Sequence, residues 1–264
     1  MAGPIVVFTG PTLSAREAAL ACEGLYLPPA DQGAVYYAVE HLQPSAIVLI
    51  DGIFGQVPTV RHKEILWALH RGSPVYGTGS LGALRAAELF RQGMIGWGMI
   101  YRWYRRTPLA DDDAVAVAMG PVELGAPALS DALINIRLSL RQAEREGMVR
   151  AAIRRSLVTR AASTYFMDRS YERLLEDARH EGMLDHTSAD RLRSWLAVNG
   201  VDQKRDDALG LLRLLAHGRP PKPSSPIERS FILTEAWLDD LAAGGFDVDL
   251  PQAEHQAGQR RWMT

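Results

Sequence analysis

The sequence predicts an α/β protein in which an N-terminal, Rossmann-like domain with a parallel sheet and helices on both faces precedes a mainly helical C-terminal region. Two observations predict this fold class. In the first half, short runs of continuous apolar residues alternate with amphipathic stretches; the runs are 5–8, 46–50 and 74–77. Continuous apolar strands separated by helices are typical of a parallel sheet covered on both faces. In residues 129–215 the pattern changes to long, Arg-rich helices.

Composition excludes several classes of protein. The chain has 264 residues, with 29 Lys+Arg against 31 Asp+Glu and a net charge of -2. This near-neutral balance argues against a nucleic-acid-binding protein. The lone cysteine, Cys22, excludes an intramolecular disulfide and a multi-thiolate metal site. Because no run reaches the roughly 20 apolar residues of a membrane helix and the first residues do not resemble a signal peptide, we expect a cytoplasmic protein without membrane contact.

Each predicted strand of the first half is followed by a predicted helix. The first helix spans residues 15–21, with Ser14 as N-cap and Glu17 as its capping-box partner. The second spans 58–69, and the third spans 81–90.

The second half divides at helix-breaking residues near Gly147, Gly182 and Gly200. Dense proline predicts a linker over 218–226, and a short helix over 229–241 follows. We therefore predict three regions: an α/β domain at 1–140, a helical domain at 141–217, and a Pro-rich linker with a C-terminal helix and tail at 218–264.

The predicted strands all end at glycine. Thr9-Gly10, Asp51-Gly52 and the 77–80 segment follow the three apolar runs. The ligand crevice of such a sheet lies beyond the carboxyl ends of its strands. We expect backbone to approach a ligand closely at these three turns.

Ser80 lies on a tight turn between a strand and a helix, which is the layout of a nucleophile elbow. Gly79 and Gly82 give the clearance that such a turn needs. The strict G-x-S-x-G pattern is not met, because Thr78 stands where the first glycine belongs. Ser80 as a simple N-cap, or the helix start as an anion site, remains an alternative.

Three further residues are candidates for the chemistry. Asp51 closes a buried strand, a common place for a catalytic or ligand-orienting carboxylate. His62 and Lys63 are alternative bases for a serine, the lysine if burial lowers its pKa. The alternative for Lys63 is a solvated helix face.

Other charged or reactive groups have simpler interpretations. The carboxylates of residues 111–113 would bind a divalent ion or an Arg-rich partner, but a solvated loop or a helix N-terminus is the better account. Cys22 is predicted to be packed rather than reactive. No zinc-site spacing, Walker A loop or G-x-G-x-x-G is present, so we expect no metal and no cofactor. Most of the arginines reflect composition, although six of them would form a basic face for an acidic partner: Arg150, Arg154, Arg155, Arg160, Arg169 and Arg173.

Several long motifs, in the same order, closely resemble the TfuA-like family. They cover roughly the first 140 residues, and they are FTGPTLS at 8–14, DGIF at 51–54, VP at 57–58, HKEIL at 62–66, SLGALRAAEL at 80–89, the 111–121 stretch, and 130–140 with its NIR. Two positions depart from the family pattern: Leu81 stands where the family has methionine, and Met119 where it often has histidine. The second departure weakens any role of that position as a base.

The resemblance implies a specific function. TfuA-like proteins accompany YcaO enzymes, which use ATP to activate a peptide amide whose oxygen is then replaced by sulfur. The TfuA-like partner is thought to obtain the sulfur by hydrolysing the C-terminal thioacid of a ThiS-like carrier protein. The residues that the resemblance implies for the site are Thr9, Asp51, His62, Lys63, Ser80 and Arg85.

The residue chemistry and the resemblance combine into one hypothesis. Ser80 attacks the thioacid carbonyl, His62 or Lys63 takes its proton, Asp51 assists, and the amides after Ser80 hold the oxyanion. The carrier tail would thread past a set of binding residues: Thr9, Gly10, Thr12, Gly52, Gly79, Gly82 and Arg85. The alternatives are a non-catalytic adaptor that recruits the carrier to YcaO, and a generic serine esterase. Whether the chain forms a homo-oligomer is left open.

Overall fold

The computed structural model describes residues 3–55, 58–107, 110–223, 231–232 and 234–246. Its centre is a five-stranded, all-parallel sheet with the strand order β2-β1-β3-β4-β5. The strands are β1 (Ile5–Phe8), β2 (Leu25–Leu27), β3 (Ala46–Leu49), β4 (Val75–Gly77) and β5 (Ile95–Gly96). This is one of the two common doubly wound orders, and the predicted α/β fold class is confirmed.

Helices cover both faces of the sheet because side chains alternate along each strand. On β1, Val6 and Phe8 pack with one cluster of buried residues, whereas Val7 packs with another. The first face is covered by α2 (Ala34–Tyr37), α3 (His62–His70) and α4 (Leu81–Leu89). The second is covered by α1 (Ala15–Ala19) and α10 (Gln203–Ala216).

All three predicted helices of this half form, although α1 and α4 end one or two residues early and the start of α3 differs more. Ser14 caps α1 by accepting a hydrogen bond from the Glu17 amide at 3.2 Å. However, α3 begins at His62 instead of residue 58. Thr59 forms an isolated antiparallel bridge with Asp31, and the Pro58 carbonyl accepts from the Gln32 amide at 2.9 Å, so these residues are held extended.

Two strands and two helices were not apparent from the sequence. The strands β2 and β5 have three and two residues, too short for a recognisable apolar run. α2 continues into a π-helical turn at Ala38–Leu42. α5 (Gly98–Arg106) follows β5 and packs on α4 and α10.

The second half is helical, as predicted, and breaks at the predicted glycines. Its helices are α6 (Leu133–Arg145), α7 (Ala151–Ser163), α8 (Tyr171–His180) and α9 (His186–Asn199), and they share a core of their own. α10 then returns to the sheet, where Leu209, Leu211 and Leu212 pack on Val48 and Ile50. The division into three regions stays a prediction. α10 lies in the second region by sequence, and it packs on the sheet of the first.

The last described segment lies on the opposite face of the sheet. α11 (Glu235–Ala243) buries Trp237 and Leu241 in the cluster that contains Tyr36 and Trp67. The linker prediction falls partly outside the described residues, since 224–230 are not among them. In the described parts of the chain, no helix combines the length and apolarity that crossing a membrane requires.

Candidate functional site

The site lies where the strand order reverses, between the carboxyl ends of β1 and β3. In a doubly wound sheet, the ligand crevice forms at this position. Thr9 follows β1, and Asp51 lies two residues beyond β3. Both side chains are buried, with Asp51 only 1% exposed.

The Asp51 carboxylate holds the loop that follows β1. Its Oδ2 accepts hydrogen bonds from the amides of Gly10 and Thr12, each at 3.0 Å, and its Oδ1 accepts from the Thr12 hydroxyl at 2.6 Å. Thr9 turns away from this carboxylate and donates to the Leu13 carbonyl at 2.5 Å. The structure therefore brings Asp51, Gly10 and Thr12 together, and Asp51 holds the loop in place. The predicted catalytic role of Asp51 and the binding roles of Gly10 and Thr12 stay predictions.

Ser80 occupies the N-cap position of α4, but its side chain does not cap that helix. Gly79 has a φ of +69°, which only glycine adopts readily, and it turns the chain sharply before the serine. The Ser80 Oγ lies 3.5 Å from the Val115 carbonyl oxygen and is buried. The alternative in which Ser80 is only an N-cap is therefore not what the structure shows.

Two amides of the elbow, those of Ser80 and Gly82, already donate hydrogen bonds to backbone carbonyls. The Ser80 amide donates to the Thr78 carbonyl at 2.7 Å, and the Gly82 amide donates to the Ile50 carbonyl at 3.2 Å. The Leu81 amide comes directly after Ser80, which is the position that supplies an oxyanion donor in a nucleophile elbow. Among the described residues, the buried Thr78 hydroxyl has no hydrogen-bond partner.

Lys204, which sequence reasoning did not select, reaches the same site from α10. Its side chain is buried, and its Nζ donates to the Val115 carbonyl at 2.8 Å. Burial lowers the pKa of the Lys204 ammonium, while the nearby charges of Asp51 and Asp202 oppose this effect. The only sequence signal is that Lys204 is a lysine in a chain whose basic residues are almost all arginine.

Three of the predicted binding glycines lie close to other parts of the protein. A Cβ atom at Gly10 would lie 2.6 Å from the Pro29 ring, and one at Gly52 would lie 2.2 Å from Leu81. At Gly82 it would lie 1.7 Å from the Leu49 carbonyl oxygen. These glycines let the chain pack closely on itself, so their contact with a substrate tail remains a prediction.

His62 and Lys63 have partners away from Ser80. His62 Nε2 lies 2.7 Å from Glu88 Oε2, and its side chain is 46% exposed. Glu88 is eight residues along α4 from Ser80, about 12 Å at the helical rise. Lys63 Nζ donates to the Ile232 carbonyl at 2.7 Å. The structure therefore does not bring either predicted base to the serine.

Arg85 is part of the His62 network. Its Nη1 donates to Glu88 Oε2 at 2.8 Å, the same oxygen that faces His62. Two of the three carboxylates at 111–113 also form ion pairs: Asp111 pairs with Arg137 at 3.1 Å, and Asp113 pairs with the buried Arg169 at 2.9 Å. No cluster of metal-binding side chains is found where the structure describes the chain.

The fold and the site together define a doubly wound α/β protein with a buried serine, aspartate and lysine at the strand ends. The family model described as TfuA-like protein matches residues 51–170, and over these residues the chain is similar to the TfuA-like family. The match includes Asp51 and Ser80, whereas the Gly10 loop and Lys204 lie outside it. The resemblance inferred from the motifs is confirmed. No curated protein matches the chain.

Proposed function

We propose that this TfuA-like protein hydrolyses the C-terminal thiocarboxylate of a ThiS-like carrier protein and supplies the sulfide to a YcaO enzyme. The observation that carries the proposal is the Ser80 side chain, which leaves its helix uncapped and turns to a buried polar site instead. A serine at the start of a helix normally caps it. Because the Ser80 hydroxyl does not cap α4, it is available to act as a nucleophile.

The reaction is an acyl transfer with sulfide as the leaving group. The Ser80 Oγ attacks the thiocarboxylate carbon and loses its proton, and the Leu81 amide holds the oxyanion. The carbon–sulfur bond then breaks, so sulfide leaves as HS⁻ and the carrier is esterified to Ser80. Water attacks the ester, the bond to Oγ breaks, and the carrier leaves as a carboxylate.

The lone cysteine supports this chemistry. Cys22 is only 4% exposed and packs beneath α1. Burial raises the pKa of the Cys22 thiol, and the Glu23 charge adds to the effect. A thiol in its neutral form is a poor nucleophile. Sulfur that leaves directly from an acyl group requires no thiol on this protein.

A substrate tail reaches Ser80 only if a covering segment moves, since Ser80 is 3% exposed. The segment after Val115 forms a hairpin-like cover, in which Met119 bridges Ala128. A Cβ atom at Gly10 would lie 3.1 Å from the Ala126 Cβ, so this cover packs on the loop held by Asp51. Displacing it would expose the crevice to a narrow Gly-Gly tail.

Sulfide release by the purified protein tests the proposal. A ThiS-like carrier bearing a C-terminal thiocarboxylate is incubated with the protein alone, and free sulfide is measured over time. Ser80→Ala is expected to lower the rate by at least about 100-fold, because loss of a nucleophile removes the covalent route. Ser156→Ala, an exposed serine on α7, is the control and should retain the wild-type rate. Unchanged sulfide release by Ser80→Ala would contradict the mechanism.

The competing proposal is a non-catalytic adaptor, and the burial of Ser80 favours it. In that case the crevice only binds the carrier tail, and the chemistry occurs on YcaO. The protein alone would then release no sulfide, and Ser80→Ala would leave thioamidation by the complete YcaO mixture unchanged. A generic esterase would instead turn over small esters and react with serine-directed phosphonates.

A further inference from the structure

We propose that Lys204 is the proton acceptor for Ser80, so that the two residues form a serine–lysine pair. The inference rests on the proposed function, because it supplies the base that the acyl transfer requires. Lys204 lies in the first turn of α10, and neither the motif comparison nor the family match at 51–170 includes it.

The Lys204 amine and the Ser80 hydroxyl lie within hydrogen-bond distance of the same atom, the Val115 carbonyl oxygen. The Lys204 Nζ lies 2.8 Å from this oxygen, and the Ser80 Oγ lies 3.5 Å from it. The elbow also contacts α10 directly, since a Cβ atom at Gly79 would lie 2.9 Å from the Lys204 carbonyl oxygen. A base that shares an acceptor with the hydroxyl need not bond that hydroxyl before substrate arrives, because catalytic hydrogen bonds often tighten only in the complex.

The surroundings of Lys204 favour a neutral amine. An ammonium group has three donors, and the bond to Val115 is the one that the described residues give it. Burial lowers the pKa of Lys204, against the charges of Asp51 at the strand end and Asp202 at the N-cap of α10. Asp51 is occupied by three hydrogen bonds from Gly10 and Thr12, which offset part of its charge.

Lys204 is also of a residue type that can act as a base. Arginine cannot be deprotonated in a protein and so cannot serve as a base. The chain has only three lysines, and Lys63 and Lys222 are the other two. Lys63 bonds the Ile232 carbonyl, and Lys222 is exposed in the segment after α10. Lys204 is the lysine that reaches the serine elbow.

The proton balance of both half-reactions follows. The neutral Lys204 amine takes the Ser80 proton as Oγ bonds to the thiocarboxylate carbon, and it passes that proton to the departing sulfur, giving HS⁻. In the second half-reaction the amine takes a proton from the attacking water. It returns this proton to Oγ as the ester bond breaks, and the enzyme is regenerated.

Lys204→Met tests the proposal with the thiocarboxylated carrier, using Lys222→Met as the matched control. We expect kcat for sulfide release to fall by about 100-fold or more while KM for the carrier changes little, because the base acts in the transition state. Lys222→Met should behave as wild type. Small primary amines should restore part of the rate to Lys204→Ala, in proportion to their basicity, which a purely structural lysine would not allow.

The wild-type pH profile is the second measurement and does not depend on the folding of a variant. We expect kcat/KM to fall with decreasing pH through an apparent pKa below that of an ordinary lysine, because protonated Lys204 cannot accept the serine proton. A flat profile between about pH 6 and pH 9 would overturn the proposal. So would a folded Lys204→Met with the wild-type rate.

The outcomes separate this inference from the proposed function. If Ser80→Ala is inactive while Lys204→Met is active, the proposed hydrolase activity is retained and Lys204 is not the base. The variants His62→Ala and Lys63→Met then test the two bases predicted from sequence. If the wild-type protein releases no sulfide at all, the proposed function itself fails.

Discussion

At the scale of single residues, the buried carboxylates of Asp51 and Glu64 hold different parts of the fold together. Asp51 accepts three hydrogen bonds from the loop after β1, which offset the cost of burying its charge. Glu64 is fully buried and accepts bonds from the amides of Arg61 at 2.8 Å and Val35 at 3.3 Å, so it holds the starts of α3 and α2 together. Burial nevertheless raises the pKa of Glu64 to about 7.

Glu64 predicts a pH dependence of stability. Its pKa is raised above the ordinary value of 4.5, so the stabilisation is complete below that value and is lost as pH rises through about 7. Relative to Glu64→Gln, the free energy of unfolding of the wild type should fall by about 3 kcal/mol over this window and then level off. Denaturant unfolding at a series of pH values measures the difference. A difference that does not vary with pH would contradict the assignment.

At the scale of elements, α4 is held unusually close to the sheet. Gly82 lies against the β3 backbone, and its amide donates to the Ile50 carbonyl at 3.2 Å. This contact sets the position of the elbow, because Ser80 precedes α4 directly. The same closeness explains why small residues follow the serine, independently of any substrate.

Gly82→Ala should therefore be strongly destabilising. The added Cβ would lie 1.7 Å from the Leu49 carbonyl oxygen, which is backbone and cannot rotate away. We expect a loss of about 3 kcal/mol or more in the free energy of unfolding, although alanine is the better helix former. Ser156→Ala on the exposed face of α7 is the control and should change stability by less than about 0.5 kcal/mol. Equal behaviour of the two variants would refute the close approach.

At the scale of the whole molecule, distant parts of the chain complete the α/β core. α10 covers one face of the sheet, and α11 covers the other. The basic face predicted on the helical half is largely neutralised within the protein: Arg154 pairs with Glu144, Arg160 with Asp177 and Glu181, Arg169 with Asp113, and Arg173 with Asp168. These ion pairs leave less positive charge on that face to attract an acidic partner.

Trp237 tests whether α11 is part of the core. Its ring lies 5.9 Å from Tyr36 and 5.4 Å from Trp67, between centroids, and its side chain is 2% exposed. Trp237→Ala should lower the free energy of unfolding by about 3–5 kcal/mol. Val198→Ala, at an 83% exposed position, should have little effect. If both variants unfold at the wild-type denaturant concentration, α11 does not contribute to global stability.

Features that depend on neighbouring residues are predictable from the sequence alone. Continuous apolar runs ending at glycine specify buried parallel strands and the turns after them, and the order strand, glycine, serine, helix specifies the elbow at Ser80. Asp51 is predictable for the same reason, since it directly follows such a run. The TfuA-like motifs add a family resemblance to these local patterns, and the function stays a proposal.

The side chains that surround Ser80 depend on tertiary packing. His62 and Lys63 lie on a predicted helix near the serine in sequence. In the structure this helix, α3, begins only at His62. His62 contacts Glu88, and Lys63 bonds the Ile232 carbonyl of the C-terminal segment. Lys204 lies 89 residues from Val115 in sequence, and only the packing of α10 on the sheet brings its amine to that carbonyl. Side-chain partners at such separations depend on how helices pack, and no local pattern encodes that packing.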